Sequence, residues 1–153
     1  MLRLRKLASV VSMLAILAVA GGAVSGATTL HLLGAGWGKP EVAVFIKDAE
    51  RQTRQTVMDV EAAVREWNEV LGEIENAPVF AWADDEKKAD VVVVLRTGGG
   101  YPLGQTLTRT NGRSRCVLGS AYIQLNAEVL GRRISGAGMR SVARHELGHA
   151  LGL

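Results

Sequence analysis

Residues 145–149 read His145-Glu146-Leu147-Gly148-His149, and Gly152 stands three places after the second His. Two histidines four apart share one face when the segment is a helix. There the two imidazoles can hold one zinc ion. Glu146 is displaced round the helix to the flank of the metal, where it can take a proton from a water. The chain has only three His, and two of them fall at this spacing around a Glu. A helix that starts near Met139 gathers Met139, Ala143, Leu147, Ala150 and Leu151 on one side, with His145 and His149 roughly opposite. One face is then expected to pack on a core and the other to present ligands to a cleft.

A second helix is the most regular signal in the chain. Val57, Val60, Val64, Trp67, Leu71 and Ile74 recur with gaps of three and four, which makes one apolar stripe. Asp48 stands where its N-cap belongs, Glu50 falls in the first turn, and Asn76 and Pro78 end it. This helix is expected to lie on a sheet and to carry no chemistry.

Strands account for the rest. Val42 to Ile46 is a short β-rich run. Val79 to Trp82 reads as a short extended piece, and Asp84 to Lys88 as a charged turn. Asp90 to Leu95 reads as a strand buried on both faces, hence central. Gly98-Gly99-Gly100 is a flexible loop without the Lys and Ser/Thr of a phosphate-binding loop, which excludes a nucleotide there. Leu103 to Thr108 is polar enough for an edge strand, and Thr110-Asn111-Gly112 signals a turn. Cys116 to Leu125 is a further strand, with Ala121, Ile123 and Leu125 facing inward and Tyr122, Gln124 and Asn126 outward. Arg132 to Gly138 is read as a loop. The order of strand, long helix, strands and site helix predicts an α/β fold with its sheet between helices. No internal repeat or linker marks a second domain.

The N-terminus has a different character. A basic head, Arg3, Arg5 and Lys6, precedes an apolar run from Leu7 to Ala20 and a small-residue exit to Ala27. Residues 1–26 therefore read as a secretory signal, with Ala18-Val19-Ala20 and Ala23-Val24-Ser25 both fitting the cleavage rule. The alternative is an uncleaved membrane anchor facing outward. Residues 27–153 form the remaining domain, with a flexible lead-in to Pro40 that holds a solvated His31. Once Arg3, Arg5 and Lys6 are set aside, the other basic residues match the 15 acidic ones in number. A neutral domain gives no reason to expect nucleic acid as a partner. The single cysteine, Cys116, cannot form an internal disulfide and reads as a buried structural thiol.

From about Trp37 to Leu153 the chain resembles the matrixin branch of the metzincins, a group of zinc endopeptidases. The resemblance rests on four pieces in order. Val42 to Ile46 leads into a long helix, and Ala89-Asp90 precedes a valine run. Leu103-Gly104 runs through to Ala121-Tyr122-Ile123-Gln124-Leu125-Asn126, and the last piece is His145 to Leu153. It implies a metzincin-like α/β (α+β) fold, with a twisted, mostly parallel sheet, an antiparallel edge strand, one long helix and a C-terminal active-site helix. It implies His145 and His149 as zinc ligands, Glu146 as general base and Gly152 as the turn where the helix stops. Leu103, Gly104, Gln105, Thr106, Leu107 and Thr108 would form the edge strand that pairs with the substrate backbone. A secreted, monomeric peptidase acting on proteins or peptides is expected. Calcium is a family cofactor for which these residues offer no site.

The family pattern continues two residues beyond Leu153 to a third His ligand, then to a methionine turn. The sequence as given is expected to be truncated before them and inactive alone, with the last four carbonyls of its final helix lacking partners. Two rival readings are an HExxH peptidase with a downstream Glu ligand, and a non-catalytic secreted relative that binds a peptide on its edge strand.

Overall fold

The computed structural model describes residues 35–48, 53–97, 102–134 and 136–153. The signal segment, His31, Glu50 and the three-glycine loop lie outside the described residues.

β1 (Gly36–Trp37), β2 (Glu41–Lys47), β3 (Val79–Trp82), β4 (Val91–Arg96) and β6 (Val117–Asn126) form a parallel sheet in the order β1-β6-β4-β2-β3. β5 (Gly104–Thr110) adds to β6 antiparallel, with Gly104 opposite Leu125 and Thr106 opposite Ile123. α1 (Arg54–Gly72) crosses between β2 and β3, and α2 (Ala137–Ala150) follows the last strands. Among the described residues the fold is therefore α/β, with a mostly parallel sheet, an antiparallel edge strand and two α-helices.

Burial shows which face the helices cover. Val42 and Val44 of β2, Val91 and Val93 of β4, and Ile123 and Leu125 of β6 all point to one side and are sealed there. Val60, Val64, Trp67 and Leu71 of α1 and Met139, Ala143 and Leu147 of α2 close over them. The opposite face carries Phe45, Val92, Val94 and Gln124, half-buried, and an exposed Tyr122. Among the described residues both α-helices thus lie on one face of the sheet, where a sheet between helices was expected. β4 is central as expected, but only one of its faces is sealed. Its run of valines hides the alternation, because every position is equally apolar.

Several boundaries differ from the sequence reading. α1 begins after Thr53, whose hydroxyl accepts from the Thr56 N–H at 3.3 Å. Asp48 instead takes a left-handed φ of 53°, which Asp tolerates, at the turn that follows β2. α1 ends at Gly72, so Ile74 lies beyond the helix. Asn68 on α1 shields the outer edge of β3: its amide donates to the Phe80 carbonyl and accepts from the Phe80 N–H, both at 2.8 Å. Gly36 and Trp37, expected in a flexible lead-in, pair with Val117 and Leu118. The expected loop after Arg132 is partly a hairpin of β7 (Glu128–Val129) and β8 (Arg132–Arg133). Its turn residues, Leu130 and Gly131, both have positive φ, and Leu130-Gly131 lacks the usual Asn or Asp that announces such a turn.

Two orientations are also corrected. Cys116 is exposed, because β6 begins one residue later and the cysteine sits in the turn before it, its N–H bonded to Ser114 Oγ at 3.1 Å. Asn126, expected outward, is 5 % exposed, and its amide donates to the Pro102 carbonyl. It ties the end of β6 to Pro102, just before β5.

Candidate metal centre and peptide-binding edge

α2 is held at both ends by other elements. Its N-cap residue, Gly136, provides no side-chain cap. The buried Asp59 carboxylate of α1 supplies one, accepting the Gly136 N–H, while Gln55 donates to its other oxygen at 2.8 Å. An anion at that place also complements the helix dipole. In the middle, the Trp67 indole N–H donates to the Arg144 carbonyl at 2.8 Å, and its ring packs where Gly148 leaves room.

The C-terminal end corrects the expectation of unpartnered carbonyls. Gly152 has a φ of 93°, the left-handed conformation that suits glycine. Its N–H bonds to His149 O, and the Leu153 N–H bonds to Gly148 O at 3.1 Å, which is a Schellman closure. Leu147 O accepts from the Leu151 N–H, and Ala150 O accepts from the Trp37 indole at 2.8 Å. All four final carbonyls therefore have donors. Trp37 can reach only because β1 is a paired strand.

This anchored helix presents the two histidines on its outer face, His145 exposed and His149 half-buried. Their Nε2 atoms lie 3.1 Å apart, with the rings edge to face. Zinc–nitrogen bonds of about 2.0–2.1 Å in a tetrahedron place two nitrogens about 3.4 Å apart, so the observed spacing fits one shared ion. His149 Nδ1 lies 2.9 Å from the Leu153 backbone oxygen. A proton on Nδ1 donates there and leaves the Nε2 lone pair free to ligate. The Schellman closure thus orients the His149 ring as well as ending the helix. Among the described residues, no group of three or more His, Cys, Asp or Glu surrounds a common point, for zinc or for calcium.

Glu146 points away from solvent and is 6 % exposed. Its Oε2 lies 2.6 Å from the Thr106 hydroxyl, which also lies 3.0 Å from the Glu146 carbonyl. Gly104, two residues earlier on the same face of β5, leaves the space that the carboxylate fills. A surface glutamate on a packing helix would stay in water, since carboxylates are rarely buried without a purpose or a partner. Thr106 and Gly104 were read from sequence only as parts of a substrate edge. Their side-chain relationship to Glu146 has no local sequence signal, because 40 residues separate Thr106 from Glu146.

The edge itself is available. Asn126 N–H donates to Leu103 O at 2.8 Å, which marks Leu103 and Asn126 as a hydrogen-bonded pair. By antiparallel alternation, Gly104, Thr106 and Thr108 then turn their N–H and C=O groups away from β6. β5 has no second strand neighbour among the described residues. Gln105 and Leu107 are exposed, Leu107 at 58 %. A groove of about 420 Å³ runs between this strand and the helix end, lined by Ala35, Thr106, Thr108, Leu118, His149, Gly152 and Leu153.

The structure therefore brings together His145, His149, Glu146, Gly104, Thr106, Thr108 and Gly152, while Cys116 stays outside the group. No helix among the described residues is long and apolar enough to cross a membrane. No protein-family model matches the chain, and no curated protein matches it.

Proposed function

We propose that this domain belongs to a secreted zinc-dependent endopeptidase of the metzincin type. The observation that carries the reading is the convergence of His145 and His149 Nε2 at 3.1 Å beside a buried carboxylate and an open strand edge. His145 and His149 would hold the metal, the latter oriented by Leu153. Zinc bound there supplies Lewis acidity, polarising the scissile carbonyl and lowering the pKa of a water to about 7. Glu146 takes the proton of the attacking water and delivers it to the leaving amine. Thr106 holds the carboxylate in place from β5. The outward groups of Gly104, Thr106 and Thr108 hold the peptide extended by strand addition. Export rests on the basic head and apolar run of residues 1–26.

The test is Glu146→Gln in a chain extended through a third ligand. Zinc content is expected to be unchanged and peptide hydrolysis to fall roughly 10² to 10⁴-fold. Undiminished hydrolysis would remove Glu146 from the mechanism. A second reading is a non-catalytic domain that binds peptides on β5, whose outer edge has no second strand neighbour among the described residues. Peptide binding without hydrolysis in the extended chain selects it.

A further inference from the structure

From Val91 to Ala127 the chain contains four arginines, Arg96, Arg109, Arg113 and Arg115, and no Asp or Glu. This stretch supplies the whole of β5 and the hairpin that joins it to β6. The rest of the mature sequence holds all the acidic residues, so the balance of charge over the domain hides a one-signed region beside the groove. Arg109, Arg113 and Arg115 are all exposed. Among the described residues, none of the three has a carboxylate within ion-pairing distance, whereas Lys39, Lys47, Arg140 and Arg144 each have one.

The hairpin tip is a built structure. Asn111 Oδ1 accepts the N–H groups of Arg113 and Ser114 at 3.0 and 2.9 Å. The Asn111 N–H donates to Val117 O at 2.9 Å. The register shifts between Arg109 and Thr110, and Gly119 lies so close that a β-carbon there would meet Asn111 Cα at 2.9 Å. The bulge and the side-chain bonds hold the backbone that carries the arginines at one end of the open edge.

We infer that the open β5 edge selects extended peptides with acidic residues on the N-terminal side of the segment that lies against Glu146. The inference takes the place of the scissile bond from the peptidase reading, but the binding itself needs neither zinc nor hydrolysis. A peptide paired antiparallel to β5, the more stable arrangement, runs with its N-terminal half toward Thr110 and the tip. At about 3.4 Å per residue, plus the reach of an arginine, its acidic side chains fall about four to seven positions before the bond beside Glu146. Their attraction adds direction to backbone pairing that is otherwise indifferent to sequence.

The experiment is fluorescence anisotropy on the metal-free full chain with labelled extended peptides that share one neutral core. One peptide carries three Asp residues in its N-terminal half, a second carries Lys there, and a third carries the Asp block in its C-terminal half. The first is expected to bind roughly five-fold or more tightly than the others, and the preference is expected to shrink in high salt. R113E/R115E is expected to abolish the preference and leave binding of the neutral core unchanged. Equal binding of the three peptides, a preference that survives R113E/R115E, or no binding of any peptide overturns the inference. So does tight, arginine-dependent binding to phosphatidylserine vesicles without a peptide preference, which would assign the patch to an anionic surface. Failure of zinc binding would sink the peptidase reading and leave these results standing.

Discussion

A β-carbon on Gly104 would stand 2.6 Å from both Cγ and Oε1 of Glu146. The edge strand and the site helix therefore share a single packing decision. A side chain at this position would force the carboxylate or β5 to shift, and the carboxylate is buried because the strand lies there.

Gly104→Ala is consequently expected to do more than a surface change. The methyl group must push the carboxylate or shift β5, at a cost of about 1–3 kcal/mol for overpacking. Hydrolysis in a chain carrying all its ligands is expected to fall while zinc affinity is retained, since the three atoms nearest the added β-carbon all belong to Glu146. Thermal unfolding and zinc titration of the variant measure both. Wild-type stability together with full activity would show that the space is not needed.

Thr106→Val keeps the shape of the side chain and removes the hydroxyl that faces Glu146 Oε2. A buried acceptor is left with one partner fewer, which costs about 1–3 kcal/mol. Thr106→Ser keeps the hydroxyl and is expected to restore most of the stability. Denaturant unfolding of the pair decides the matter, and equal loss in both variants would point to packing rather than to the hydrogen bond.

Trp37→Phe tests the anchor at the other end of α2. It deletes the indole donor to Ala150 O and is expected to destabilise by about 0.5–1.5 kcal/mol. The effect is expected to concentrate in the last turn, read by faster amide exchange at Leu151, Gly152 and Leu153. Unchanged exchange there would mean that the Schellman closure suffices alone.

Zinc titration separates ligand number from ligand geometry. If His145 and His149 hold zinc as proposed, residues 1–153 are expected to bind it weakly, because the remaining positions fall to water. A chain extended to place a His two residues after Leu153 is expected to bind it far more tightly. His149→Ala in the extended chain is expected to reverse that gain. Equal affinity of the short and extended chains would require a ligand from elsewhere, with His31 the remaining histidine.

Sequence alone determined what depends on local periodicity and on chemical type. The stripe Val60, Val64, Trp67 and Leu71 specified a helix and its buried face, because 3.6 residues per turn leave no other way to bring those side chains together. The spacing of His145 and His149 put two imidazoles on one helical face, and Met139, Ala143 and Leu147 told which face was sealed. The strands β2, β3, β4, β5 and β6 were legible within a residue or two. Tertiary structure decided what depends on groups distant in the chain. Among the described residues it placed both α-helices on one face of the sheet, which the four consecutive valines of β4 could not announce. It set Trp37 on Ala150, Asp59 on Gly136 and Thr106 on Glu146, each pair separated by 40 or more residues. It also exposed Cys116, since a single residue of register at the start of β6 separates a buried strand position from a turn. Such contacts follow from how the helix docks against the strand edge, and no short window of sequence contains both partners.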